Sequence, residues 1–200
     1  MAGHAVFLLM VGAAAFSTPA YAHGNADTLH QISDGVVLFF TALEFLLPVL
    51  IVALLAQPNE LRLAIIQVAA LGIGLLTAVV GLQIPGDPSA LGLYARGYLI
   101  VLGLLVLTNL RIPTGVVLVV VLVTGMLTGL EAGEAVSDDP AAGSALIVGF
   151  LSSAICFYFS ATLVASRYTE GWQRIAMRVV ASWIVAIAVL DIAFMSVRSG

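Results

Sequence analysis

A few ionisable residues stand in stretches of this sequence where solubility does not account for them. Glu44 sits inside Thr41-Ala42-Leu43-Glu44-Phe45, in the middle of a long apolar run. A carboxylate at that depth in a membrane costs at least a few kcal/mol, so it must face protein or water rather than lipid. It can serve as an ion or proton site, or it can be protonated and hydrogen-bonded to a neighbouring helix. Pro48 follows about one turn later and frees a backbone carbonyl that could join a polar site. Glu131 and Glu134 lie in Thr128-Gly129-Leu130-Glu131-Ala132-Gly133-Glu134, after an apolar run. Their spacing puts both on one helix face. Two such acids can hold a hard divalent cation, or a transition metal if imidazole joins them; they also read as a solvated helix end before an acidic loop. Asp191 interrupts the last apolar run and reads as a polar contact within a bundle or as a point on an ion path. His23 and His30 are the remaining metal-ligand types, and His23 at a processed N-terminus would add its α-amine to the imidazole.

The elements that must position these residues follow from composition. Hydrophobic residues make up 62% of the 200-residue chain, charged residues 9%, and there is no lysine. A soluble domain carries roughly a quarter charged residues, so lipid must be the solvent over most of this chain. A membrane barrel would need alternating strands of about ten residues. The apolar runs here are continuous and roughly twice that length, which selects helices. The expected fold is all-α: a polytopic membrane helix bundle of about six transmembrane helices after a cleaved signal peptide. The leader is residues 1–22, with a short apolar core and an Ala20-Tyr21-Ala22 end that predicts cleavage before His23. An uncleaved first helix is the rival reading. Residues 23–200 form a single transmembrane domain with spans at Gly35–Ala56, Leu63–Ile84, Tyr94–Leu110, Gly115–Leu130, Ala142–Ala165 and Ile175–Val197. Pro- and Gly-containing connections, among them Pro85-Gly86-Asp87-Pro88-Ser89, separate them.

Arginines orient the bundle. Arg62, Arg111, Arg167, Arg174 and Arg178 fall on one side, and Arg96 and Arg198 on the other. Positive residues favour the cytoplasm, so the expected location is the bacterial inner membrane, multi-pass, with both mature termini in the periplasm. Asp27, Asp34, Asp87, Glu131, Glu134, Asp138 and Asp139 then gather outside, where they would concentrate cations. Tyr94, Tyr98, Tyr168 and Trp172 sit near span ends, as interfacial aromatics do. Gly125, Gly129 and Gly133 form a smooth ridge for close helix packing, against another span or another subunit. The single cysteine, Cys156, lies within an apolar run and is expected as a small buried hydrophobe; alone it makes no disulfide within the chain.

These features resemble the hydrogenase/urease accessory membrane proteins of the HupE/UreJ family. The resemblance is carried by Ala20-Tyr21-Ala22-His23-Gly24 at the leader junction, by Asp34-Gly35-Val36-Val37-Leu38-Phe39-Phe40-Thr41-Ala42-Leu43-Glu44-Phe45, and by Gly125-Met126-Leu127-Thr128-Gly129-Leu130-Glu131-Ala132-Gly133-Glu134. Gly149-Phe150 and Arg178 before the final helix continue it. Members are regarded as nickel or cobalt permeases, so the resemblance implies about six spans and a divalent metal ion as substrate. This chain departs from the family in its histidines. Thr128, Leu130 and Ala132 stand where the family carries or can carry histidine, as do Leu38 and Phe45 in the first span. The glycine frame and Glu44 remain. Nickel binds poorly without nitrogen or sulfur donors.

Three classes of function follow. The first is a divalent-cation permease of this family or a degenerate relative. The second is a non-transporting accessory subunit packed on a larger membrane complex or on itself. The third, an enzyme, lacks a nucleophile–base pair and a cofactor motif. The absence of basic stretches argues against nucleic acid as a partner and leaves the lipid bilayer as the certain one.

Overall fold

The computed structural model describes residues 26–57, 60–81, 88–108, 110, 112–137, 144–167 and 171–198. Among them are seven α-helices and no strand: α1 (Ala26–Thr41), α2 (Leu43–Ala56), α3 (Leu61–Gly81), α4 (Pro88–Thr108), α5 (Thr114–Ser137), α6 (Ser144–Arg167) and α7 (Trp172–Arg198). Five of them, α3 to α7, are long and apolar enough to cross a membrane, and α1 with α2 passes the same test only as a bent pair, the shape of a broken sixth span or of a re-entrant loop. The chain is thus a multi-pass helical membrane protein. The proposed leader and its cleavage point lie outside the described residues.

The broken span corrects the expectation of one continuous helix from Gly35 to Ala56. The two halves are bent by 68°. The break is a single extended residue, Ala42 (φ −87°, ψ 105°). Its amide still donates to the Leu38 carbonyl at 3.1 Å, and its own carbonyl accepts from the amides of Phe45 and Leu46 at 3.1 and 3.3 Å. The chain therefore turns without losing these backbone bonds. Pro48 is not the cause, since it lies inside α2. The two halves instead follow different neighbours. α1 packs on α6, whereas α2 is wrapped by α4, α5 and α6.

Burial of α2 explains its sequence. Leu43-Glu44-Phe45-Leu46-Leu47-Pro48-Val49-Leu50-Ile51-Val52-Ala53-Leu54-Leu55-Ala56 is apolar on every side. A helix hydrophobic all round belongs in an interior, and Phe45, Val49, Ile51, Val52 and Ala53 have no exposed surface. Around this axis stand three close pairs, each made possible by glycine. Gly35 of α1 lies against the backbone of Leu146 and Phe150, and Gly149 of α6 lies against Ile32 in return. Gly74 of α3 meets Leu122 and Met126 of α5, while Gly125 and Gly129 of α5 meet Leu71 and Leu75 of α3. Gly103 of α4 sits under Val185 of α7. Phe39, Phe45, Phe150 and Phe157 add edge-on ring contacts where α1, α2 and α6 meet.

Helix ends differ from the sequence reading in informative places. Pro88 opens α4 rather than belonging to the preceding loop, as suits a residue without an amide proton. Glu131 lies within α5, not after it. Cys156 is exposed rather than buried: in lipid the outside of a bundle is as apolar as its core, so an apolar neighbourhood does not imply an interior position.

Candidate functional site

Arg96, eight residues into α4, is the centre of the polar interior. Its side chain keeps 15% of its surface exposed. Each edge of the guanidinium is taken by a different helix. Nε donates to Asp191 Oδ2 of α7 at 2.6 Å. Nη1 donates to Glu131 Oε1 of α5 at 3.3 Å and to the Gly92 carbonyl of its own helix at 3.0 Å. Nη2 reaches Glu44 Oε2, in the first turn of α2, at 3.5 Å. A planar fork of five donors suits this geometry, and lysine could not reproduce it. Gly92 makes room, since a Cβ there would come within 2.7 Å of Nη1.

The three carboxylates are not equivalent. Glu131 is the most enclosed, at 11% side-chain exposure. Glu44 and Asp191 are about half exposed, at 48% and 46%. The Asp191 contact is short and charge-assisted, whereas the Glu44 contact is at the long end of a hydrogen bond. With every group ionised the cluster carries two more negative than positive charges. It lies toward the end of the bundle formed by the start of α4 and the ends of α5 and α7.

Three of the acids singled out from sequence thus come together, but around a guanidinium. Arg96, expected among outer-loop charges, was the missing partner. Tyr98, expected at the interface, also turns inward: its hydroxyl donates to the Val120 carbonyl at 2.9 Å and pairs with Thr124 Oγ1 at 3.0 Å. The remaining predicted residues fall elsewhere. His30 pairs with Asp34 at 3.3 Å on the exposed face of α1, away from Arg96. His23 and the side chain of Glu134 lie outside the described residues. Among the described residues, no three of His, Cys, Asp and Glu form a metal-holding group; the acids reach Arg96 from separate sides. Of the glycine ridge, Gly125 and Gly129 touch α3 closely, and Gly133 is in ordinary contact with Val79 at 3.7 Å.

A second polar contact lies toward the other end. Gln67 of α3, 1% exposed, donates to the Ala56 carbonyl at 3.4 Å and accepts from the Tyr158 hydroxyl of α6 at 3.4 Å. It gives the last carbonyl of α2 a partner in an apolar setting.

Comparison with known proteins places this architecture. The family model described as HupE / UreJ protein matches residues 9–190. The chain belongs to the HupE/UreJ family. No curated protein and no solved structure matched it. The match covers α1 to α6 and reaches residue 190 within α7, one short of Asp191, so the resemblance first carried by the segments around Glu44 and Glu131 holds through most of the bundle. In this HupE/UreJ chain those two segments deliver two of the three carboxylates that reach Arg96.

Proposed function

We propose that this chain is a divalent-cation permease of the HupE/UreJ mould, with Glu44, Glu131 and Asp191 as the binding carboxylates and Arg96 as their resident counter-charge. The observation that carries this reading is the convergence of acids from three helices on one guanidinium inside a membrane bundle. Ionisable groups at such depth are costly and mark ion pathways. The break at Ala42 supports it, because non-helical backbone at membrane depth is tolerated where it lines protein or a water-filled cavity. Glu44 sits two residues beyond that break, half exposed, at the entrance side of the cluster.

The cluster suits exchange of one cation for another. An arriving divalent ion would match the two excess negative charges and compete with Arg96 for the carboxylates. Glu44 would yield first, since its contact with Arg96 is the longest of the three. Carboxylate oxygens suit hard cations such as Mg2+, Ca2+ and Mn2+, and these three side chains offer Ni2+ no nitrogen or sulfur donor. The alternative, an accessory subunit docked through the glycine ridge, loses that surface in part, because α3 of the same chain covers Gly125 and Gly129.

The test is uptake into liposomes containing the purified protein and a fluorescent metal reporter. Saturable Mn2+ entry above that of empty liposomes is expected, faster than Ni2+ entry. Glu131→Gln should reduce Mn2+ entry by about two orders of magnitude, the scale of a lost charged ligand contact. No entry above empty liposomes would remove the permease reading, and a stoichiometric membrane partner on purification would favour the accessory-subunit role.

A further inference from the structure

Threonine enters an apolar helix by hiding its hydroxyl against the backbone. Thr41, Thr77, Thr124 and Thr162 each donate to the carbonyl four residues back, at 2.7, 2.8, 2.9 and 2.7 Å. Thr108 donates three residues back at 3.0 Å. Thr128 departs from this pattern. It is 1% exposed, and its Oγ1 has no hydrogen-bond partner among the described residues. Leaving a buried hydroxyl unpaired costs about 1–3 kcal/mol, so such a group calls for an explanation such as an ion or a water.

Its position indicates which. Thr124, Thr128 and Glu131 follow one another along a single face of α5. Both flanking residues reach α4: Glu131 to Arg96 at 3.3 Å and Thr124 to the Tyr98 hydroxyl at 3.0 Å. Thr128 therefore stands between the carboxylate cluster and a buried pair of hydroxyls, with its own proton and both lone pairs unspent.

We infer that Thr128 Oγ1 is a neutral oxygen ligand for a hard divalent cation moving inward from Glu131, with the Tyr98–Thr124 pair next along the path. This rests on the permease reading. Hard cations accept carboxylate and neutral oxygens in one shell. A neutral ligand beside a charged one also gives an ion somewhere to go, since conduction needs sites weak enough to leave.

The experiment compares Thr128→Val, which keeps the shape and removes the hydroxyl, with Thr128→Ser, which keeps the hydroxyl. Both are tested for Mn2+ uptake in liposomes and for thermal midpoint in detergent without metal. Thr128→Val should lower uptake about tenfold, the scale of one lost ligand contact, with its midpoint unchanged or raised because an unpaired polar group has been removed. Thr128→Ser should keep most of the uptake. Parental uptake by Thr128→Val, in liposomes where the unaltered protein transports Mn2+, would overturn the inference while leaving the permease reading in place. So would a lowered midpoint for Thr128→Val, which would mean that the hydroxyl is already bonded in the metal-free protein. Absence of uptake by the unaltered protein would instead remove the permease reading itself, and the inference with it.

Discussion

A guanidinium in an apolar bundle must meet an acceptor on every edge, and Arg96 draws its acceptors from α2, α5, α7 and its own helix. Breaking a buried ion pair by removing one partner costs about 3–5 kcal/mol, because the other charge stays buried. Arg96→Met takes the guanidinium from all three carboxylates, of which Glu131 is the most enclosed while Glu44 and Asp191 are about half exposed. The expected loss is therefore near the lower end, about 3 kcal/mol, measured as unfolding in detergent. Arg96→Lys should recover only part of it, since an ammonium cannot present a planar fork. Glu44→Gln should cost under about 1 kcal/mol, as exposed pairs do. A parental midpoint for Arg96→Met would mean that the cluster does not hold the bundle together. The acids of this cluster were legible in the sequence because each interrupts an apolar run. Arg96 was not, because its partners are 35, 52 and 95 residues away along the chain, and a residue near a span end reads first as an interfacial charge.

At the scale of elements, helix pairs in lipid are held by close approach rather than by hydrophobic drive. The glycines accordingly differ in what a side chain there would meet. At Gly35, Gly74, Gly125, Gly129 and Gly149 a Cβ would collide with the backbone of the facing helix, whereas at Gly97 and Gly115 it meets nothing within 4 Å. Gly129→Leu should thus destabilise by more than about 2 kcal/mol through overpacking. Gly97→Ala should be neutral, or stabilising by roughly 0.5–1 kcal/mol from helix propensity. Thermal midpoints of the two variants in one detergent decide the point, and equal midpoints would place the α3–α5 crossing further apart than described. The ridge itself was visible as a four-residue repeat. Its partner was not, because Gly74, with Gly72 two residues before it, shows no four-residue repeat in its apolar run. The turn at Ala42 was invisible for a different reason: hydropathy is continuous through Phe40-Thr41-Ala42-Leu43, and the bend arises from what each half packs against.

For the molecule as a whole, if α1 and α2 cross together as one broken span, they and the five continuous spans make an even number of crossings, which returns both ends of the helical domain to the same side. From the arginine bias we propose that this side is the periplasm. A reporter active only in the periplasm, fused after Gly200, is expected to be active, and a reporter active only in the cytoplasm is expected to be silent there. The reverse result would overturn this orientation. The helical membrane class was the most legible property of the sequence, since length and hydropathy alone set it. Which face of each span turns inward was the least legible, and Cys156 shows why: nothing in its immediate neighbours separates lipid from protein.

The order in which Arg96 acquires its partners has a consequence for biosynthesis. Glu44 is synthesised first, Arg96 follows, Glu131 comes with α5, and Asp191, which makes the shortest contact, arrives only with the last helix. While α4 leaves the insertion machinery, the arginine has at hand only the acid that holds it most loosely. Until α7 is made, Arg96 lacks its shortest contact. A chain truncated before α7 would leave Arg96 without that contact, so the tie that fastens the bundle is the last of the set to become available.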